Sequence, residues 1–345
     1  MKKLLLFSWF LTLLLLQACN KDENTKTSFQ GIVLPANYPA PVYDLSQNPV
    51  TEAGFTLGKR LFYERLLSRD TTISCGDCHI SYAAFSHPDH ATSHGIDNLF
   101  GKRNAPAIQN MLWSPTFFWD GGVPNLDLVP LNAIQNPVEM DETPAHVLEK
   151  LRNHPAYPGL FKAAYGTDEI NTARFLQALS QFMGMLVSAN SPYNQYVRKE
   201  PGAVLSVEGL AGLEVFTAKC ATCHSGALLT DYQFHNNGIL DDFSQDQGRF
   251  EISTFQEDIG KFKTPSLHNV AVTDPYMHNG KFKTLRSVLD HYSSGVKDSP
   301  TLDPRLRQAD GTLGIPLSAE EKNYLIAFLN SLTDEDFLRD VRFAE

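Results

Sequence analysis

The sequence predicts an all-α protein of two domains with long ordered loops. Three observations carry that expectation. Apolar residues recur at helical spacing in one stretch after another. Alternation of the strand type is scarce. The pentapeptide Cys-x-x-Cys-His occurs twice, each time shortly after an apolar stripe. Pro and Gly are frequent between the stripes, so ordered loops rather than strands fill those intervals.

Taken in order, the chain opens with Met1-Lys2-Lys3 and an apolar run over residues 4–16. A charged start followed by a short apolar run reads as a secretory signal and not as a membrane span. The run ends Leu16-Gln17-Ala18-Cys19, which resembles a bacterial lipoprotein box. The resemblance implies a signal peptide over residues 1–18 and a lipidated Cys19. The alternative is an ordinary signal with a stray cysteine. Residues 19–44 are expected to tether lipid to folded body, being polar over 20–30. Lys21-Asp22-Glu23 resembles the surface-export signals of some lipoproteins, so either the periplasmic face or the cell surface of the outer membrane is open. No later segment is long and apolar enough to span a bilayer.

The body then repeats one theme. Phe55, Leu57, Leu61, Phe62 and Leu66 form a stripe before Cys75-Gly76-Asp77-Cys78-His79, and Leu210, Leu213 and Phe216 form one before Cys220-Ala221-Thr222-Cys223-His224. Further helices are expected from Thr143-Pro144 onward, a cap and then a proline in the first turn, and along Phe175, Leu179, Phe182 and Leu186. Thr284 can cap a helix whose Leu285, Val288, Leu289 and Tyr292 share a face. Ser318 and Glu321 form a capping box ahead of Leu325, Phe328, Leu329 and Leu332. The division is expected near Pro201-Gly202, giving domains at 45–200 and 201–345.

Cys-x-x-Cys-His is the attachment motif of a c-type haem. The thiols of Cys75, Cys78, Cys220 and Cys223 add to the two vinyl groups of each haem, and His79 and His224 reach the irons. The competing use of the four thiols, a Cys₄ zinc site, leaves the histidine after each pair unexplained. Small c-type cytochromes share the order of helix, loop and motif. The fold class is therefore all-α, with two cytochrome c-like haem domains and long loops wrapping the haems. Four of the five cysteines are used in this way and Cys19 is the fifth, so none remains for a disulfide. Roughly 300 residues beyond the tether suffice for two domains of ordinary size. A formal charge of −10 gives no case for nucleic acid binding and suits a basic protein partner.

Over residues 45–332 the chain resembles the bacterial di-haem cytochrome c peroxidases, a family that includes MauG-type enzymes. The resemblance rests on Leu57-Gly58-Lys59-Arg60-Leu61-Phe62, Ile73-Ser74 with the first haem motif, Arg103-Asn104-Ala105-Pro106 and Phe118-Trp119-Asp120-Gly121. It continues through Asn136-Pro137-Val138-Glu139-Met140, Lys263-Thr264-Pro265-Ser266-Leu267 and Pro275-Tyr276-Met277-His278-Asn279-Gly280. It implies that Glu139 moves the peroxide proton, that Trp119 lies between the haems, and that a calcium ion is held by Asn104, Thr273 and Pro275. It also implies His94 as sixth ligand of the first haem, with His87 and His90 as rivals in a segment about two residues longer than in other members. For the second haem it implies Tyr292, fourteen residues beyond His278, with Met277 as second choice. Without the resemblance Glu139 would be an exposed loop carboxylate, His94 a surface histidine, Asn104 a turn residue, and Trp119 and Tyr292 core. Gln135 is expected to help line the peroxide pocket. His268 replaces an arginine that in many relatives contacts a haem propionate.

The leading expectation is an exported di-haem cytochrome c peroxidase. It reduces hydrogen peroxide to water with electrons from a small cytochrome c or cupredoxin, and family members are often homodimers. A MauG-like enzyme that oxidises residues of another protein is the second reading, favoured by Tyr292. A non-catalytic di-haem electron carrier is the third, and Glu139 argues against it.

Overall fold

The computed structural model describes residues 29–345; the leader, Cys19 and the 21–23 run lie outside the described residues. Among the described residues no helix is long and apolar enough to cross a membrane. The fold is helical, as expected. A single antiparallel pair, β1 (Phe234–His235) with β2 (Phe262–Lys263), is the sheet found among them.

Two helix crossings organise the body. In the first, α1 (Glu52–Phe62) packs on α6 (Thr172–Met185). In the second, α8 (Val207–Lys219) packs on α11 (Ala319–Asn330). Each crossing is closed by a glycine. A Cβ on Gly58 would lie 1.9 Å from Ala178 O, and one on Gly212 would lie 2.0 Å from Tyr324 O. One turn further along, Phe62 meets Phe182 with ring centres 4.9 Å apart, and Phe216 meets Phe328 at 4.8 Å. Glycine permits backbone-to-backbone contact, and the aromatic pair fills the wedge that opens beside it. The same device thus stands before both Cys-x-x-Cys-His motifs.

The caps read from the sequence are in place. Thr143 accepts from His146 N at the start of α4 (Pro144–Asn153), and Ser318 forms a capping box with Glu321 at the start of α11. Thr284 caps α10 (Leu285–Asp290), which runs on into a π turn over His291–Gly295. Short helices complete the chain: α2 (Cys75–Cys78), α3 (Val129–Gln135), α5 (Tyr157–Tyr165), α7 (Pro192–Val197), α9 (Phe250–Ser253) and α12 (Glu335–Leu338).

Three placements differ from expectation. Leu210 is 38% exposed rather than on the inward stripe. The buried face of α8 runs through Gly209, Gly212 and Phe216, because the crossing is made by backbone and not by leucine. Residues 38–43, assigned to the tether, are docked. Tyr38 is buried, its hydroxyl donates to Ser188 O at 2.8 Å, and Trp113 Nε1 donates to Pro39 O at 2.7 Å. The end of the chain, counted with the second half, packs on the first. Tyr63 donates to Phe343 O, and Phe343 and Phe337 meet the rings of Phe55, Phe182 and Phe85. Pro201 and Gly202 are exposed in the connection to α8, and Gly31–Glu345 form one unit.

A buried polar seam joins the two halves of the sequence. Gln109 Nε2 donates to His268 O at 2.6 Å, and Asn269 Nδ2 donates to Gln109 Oε1 at 2.6 Å and to Ser188 Oγ at 2.9 Å. Ser188 Oγ donates to Asp334 Oδ2, and Asp334 N donates to Asn269 Oδ1. A satisfied buried network of this kind fixes one arrangement of its parts.

The close crossing gives a stability test. Gly212→Ala forces the two helices apart, and overpacking of this type costs ~1–3 kcal/mol. Chemical denaturation of the haem-loaded protein followed by circular dichroism should show a clear loss. An unchanged midpoint would mean that the crossing tolerates a methyl group.

Candidate active site

Each Cys-x-x-Cys-His is shaped by its own backbone. Cys75–Cys78 form the single turn α2, held by Ser74, whose N and Oγ donate to Asp77 Oδ2 at 2.7 and 2.8 Å. A helical turn puts residues three apart on one face, so both thiols point the same way. All four cysteines of the two motifs are unpaired. Burial keeps the thiols neutral, pushing Cys75 and Cys220 up to about 12 and Cys78 to about 11, with Cys223 also raised.

The adjacent imidazoles are held alike. His79 Nδ1 lies 2.7 Å from Phe85 O, and His224 Nδ1 lies 3.3 Å from Leu229 O. A carbonyl only accepts, so each Nδ1 carries the proton and each Nε2 keeps a bare lone pair. Phe85 and Leu229 both have left-handed backbone, with φ of 60° and 52°. A non-glycine residue in that region costs of order 1–3 kcal/mol, so the turn that brings the carbonyl back is held by its surroundings. Burial pushes His79 down to about 4 and His224 down as well, which keeps the rings neutral. Paired neutral thiols beside an oriented imidazole with a free Nε2 are the donor set a covalently attached haem requires. The residues at both sites therefore fit the group.

The zinc alternative does not fit. Among the described residues the one convergent cluster of three donors is Cys223, Asp231 and His235, so the two cysteine pairs do not come together. His235 spends one nitrogen on Asp231 at 2.9 Å and the other on Asp303 at 2.8 Å.

Beside the first motif, two loops are pressed against each other. A Cβ on Gly95 would lie 2.4 Å from Glu139 Cα, and Ile96 N donates to Glu139 O at 2.8 Å. Cys78 Sγ lies 3.5 Å from His94 O, so the first haem motif, the His94 loop and the Glu139 turn meet. Asn136 builds that turn. Its backbone O takes Glu139 N and Asp141 N, its Oδ1 takes Val138 N at 3.2 Å, and its Nδ2 donates to Glu139 Oε1 at 3.0 Å. Ser93 Oγ reaches the same oxygen at 3.5 Å. Glu139 is half-buried; burial raises its pKa, and the hydrogen bonds from Asn136 and Ser93 pull it back. Gln135, expected to line this pocket, is exposed at the end of α3. The helix points it outward, and the partners of the carboxylate are Asn136 and Ser93, neither of which was singled out for that role.

His94 is half-buried in a stack of rings. His87 and His90 lie 4.0 Å apart, His90 and His94 5.8 Å, and His94 and Phe100 4.7 Å. His87 is buried, with Nδ1 unpartnered and its pKa pushed down to about 4 by desolvation.

A cavity of 210 Å³ is lined by His79, Asn104, Trp119, His268, Pro275 and Met277 among others, so both halves of the sequence contribute. Trp119 is fixed in its wall, Nε1 donating to Asn104 O at 2.9 Å while its carbonyl accepts from Lys263 N at 2.7 Å. Thr273 lines the same cavity, as do Asn104 and Pro275. Asn104 Nδ2 faces the carbonyls of His90 and Ala91 at 3.2 and 3.3 Å. His268 is buried with Nε2 at 2.9 Å from both Tyr38 Oη and Ala227 O, and its Nδ1 has no partner. A polar edge of a bound group would satisfy it.

Tyr292 lies in the π turn, packed against Val296, Leu302 and Leu306. Burial pushes its pKa up to about 12, opposed by a hydrogen bond from Asn237.

Comparison with known proteins places this arrangement. Residues 52–202 match the family model described as di-haem cytochrome c peroxidase. The chain is 32% identical to the methylamine utilization protein MauG of Methylorubrum extorquens, over 87% of this chain and 83% of that protein. It is 29% identical to the cytochrome c551 peroxidase of Pseudomonas aeruginosa, over 86% of this chain and 83% of that protein. A crystal structure of a MauG-like protein associated with microbial copper homeostasis superposes with a TM-score of 0.81 at 32% identity, covering 92% of this chain and 99% of that one. The likeness runs through both haem motifs and the turns between them, and on that ground the chain belongs to the di-haem cytochrome c peroxidases, oxidoreductases that carry two c-type haems.

Proposed function

We propose that this protein reduces hydrogen peroxide to water, taking two electrons from a small redox protein and two protons from solvent. The observation that carries the reading is Glu139, a half-buried carboxylate held by Asn136 and Ser93 on the loop that meets the first haem motif. When bound, the haems supply iron that takes up peroxide at the first site and passes electrons from the second.

The protein's own work is proton handling and positioning. Glu139 takes the proton from one peroxide oxygen and returns it to the other, which leaves as water. Burial helps because a raised pKa brings acid and base forms closer to balance near neutral pH. Asn136 aims the carboxylate and keeps part of it ionised. His94 would close the first site at rest as an iron ligand, and its loop would then have to move for peroxide to enter. Trp119, clamped by Asn104 and Lys263, is the bridge between the sites. The two helix crossings, each with its own haem motif, are read as two cytochrome c-like halves. Asn104, Thr273 and Pro275 would hold a calcium ion; with few protein ligands and no carboxylate it would keep several waters. Lipidation at Cys19 would hold the protein at the outer membrane, and the net charge of −10 suits a basic donor such as a cytochrome c or cupredoxin.

A MauG-like activity, in which the oxidising equivalents pass to residues of another protein, is the second reading. Tyr292, half-buried in the π turn, supports it, since a phenolate favours the ferric and higher states that a thioether disfavours. A carrier without catalysis has no use for Glu139.

Two measurements follow. Glu139→Gln should keep both haems by absorbance and lower the rate constant for peroxide by ~10²–10⁴-fold; turnover near the wild-type rate would remove Glu139 from the chemistry. Asn136→Ala removes a donor that stabilises the carboxylate, so the pKa of Glu139 rises further. The acid limb of the pH–rate profile for peroxide should therefore move to higher pH, and an unmoved limb would mean that Asn136 does not act on Glu139.

A further inference from the structure

One arginine joins the two loops that flank the first haem motif. Arg69 follows Ser68, which is buried and whose carbonyl accepts from Lys150 Nζ at 2.7 Å. Arg69 N donates to Met140 O at 2.9 Å, next to Glu139. Its guanidinium then forks: Nη1 donates to Asp141 Oδ2 and Nη2 to Asp97 Oδ2. Asp141 belongs to the Glu139 turn and Asp97 to the His94 loop. The arginine is thus anchored on the turn by two bonds and reaches the loop by a third.

That third bond serves the tip of the loop. At its root, Ser93, Gly95 and Ile96 are buried, and Ile96 N is tied to Glu139 O. Residues 97–100 are all exposed. Their other polar contacts, such as Gly95 N to Leu99 O at 2.9 Å, stay inside the loop. Among the described residues, the pair with Arg69 is the one ion pair or hydrogen bond from this tip to the chain beyond the loop. Asp97, Asn98 and Asp141 have left-handed backbone, with φ of 54°, 57° and 47°. Such conformations persist only where neighbours hold them, so the tip relaxes when the pair breaks. An exposed pair is weak and screened by salt. A weak tie suits a part that has to let go and return.

We propose that Arg69 is a positioning residue that governs opening of the first site. Its pair with Asp97 holds the tip of the His94 loop down, and its pair with Asp141 stays intact as the loop lifts. The proposal rests on the reading of His94 as the group that closes that site. Lysine could not replace it, because an ammonium is a point charge and not a fork.

The test is stopped-flow binding of hydrogen cyanide to the ferric holoprotein. The probe is uncharged at neutral pH, so salt acts on the protein and not on the encounter. The wild type should bind faster as salt rises. Arg69→Gln should bind about two- to fivefold faster at low salt, the worth of one exposed pair, and should lose most of the salt dependence. Asp97→Asn keeps a residue that tolerates left-handed backbone; it should behave in the same way, and it serves alone if Arg69→Gln fails to accumulate. The double variant should be no faster than either single one, a result that general loosening would not give. Wild-type rates in the single variants, a retained salt dependence, or additive effects in the double variant overturn the proposal. His94→Ala should bind fast with or without Arg69. If it binds no faster than the wild type, the reading of His94 fails separately. Amide hydrogen exchange over residues 95–99 then decides the role of Arg69: faster exchange in Arg69→Gln supports the hold on the tip, and unchanged exchange overturns it.

Discussion

Everything chemical in this protein depends on two imidazoles being held by a backbone carbonyl a few residues further along. His79 is tied to Phe85 O and His224 to Leu229 O, and in each case the carbonyl belongs to a residue in left-handed conformation. The bond does three things at once. It puts the proton on Nδ1, it fixes the plane of the ring, and it leaves Nε2 as the only free donor. An imidazole free to rotate or to change tautomer would present a nitrogen–hydrogen bond to the iron part of the time. The turn that returns the carbonyl is strained, and burial of the ring and packing of the loop hold it.

The second constraint is distance between the two sites. Electrons that enter at one and are used at the other need a fixed gap. The seam of Gln109, Ser188, Asn269 and Asp334 sets it, since each of these buried groups is satisfied by partners from the other half of the sequence. Trp119 is clamped within the same region by Asn104 and Lys263. The C-terminal tail adds a strap, with Phe337 and Phe343 lodged among the aromatic residues of the first half. A hinge at Pro201-Gly202 would have to break all three.

What could be read from the sequence follows from the range of the interaction. Caps, stripes and the haem motifs act within a few residues, and Thr143, Ser318 and the two Cys-x-x-Cys-His runs stand where they were expected. Glu139 was named through its motif, and its turn meets the His94 loop. Its partners were not, because Ser93 is 46 residues away and Gln135, not Asn136, was expected to line the pocket. Leu210 misled for a different reason: glycine carries no apolar signal, yet Gly209 and Gly212 form the buried face of α8. Tyr38 and Phe343 lie near the ends of the described chain, and nothing local in either shows that its partner is Ser188 or Tyr63.

We propose that the two haems have different axial partners, one site opened by movement of His94 and the other closed by Tyr292. Electron paramagnetic resonance of the resting ferric holoprotein, wild type against His94→Ala and Tyr292→Phe, tests it most directly. Two inequivalent ferric signals are expected, with the first substitution altering one and the second altering only the other. A single class of signal, or either substitution changing both signals or neither, would contradict it.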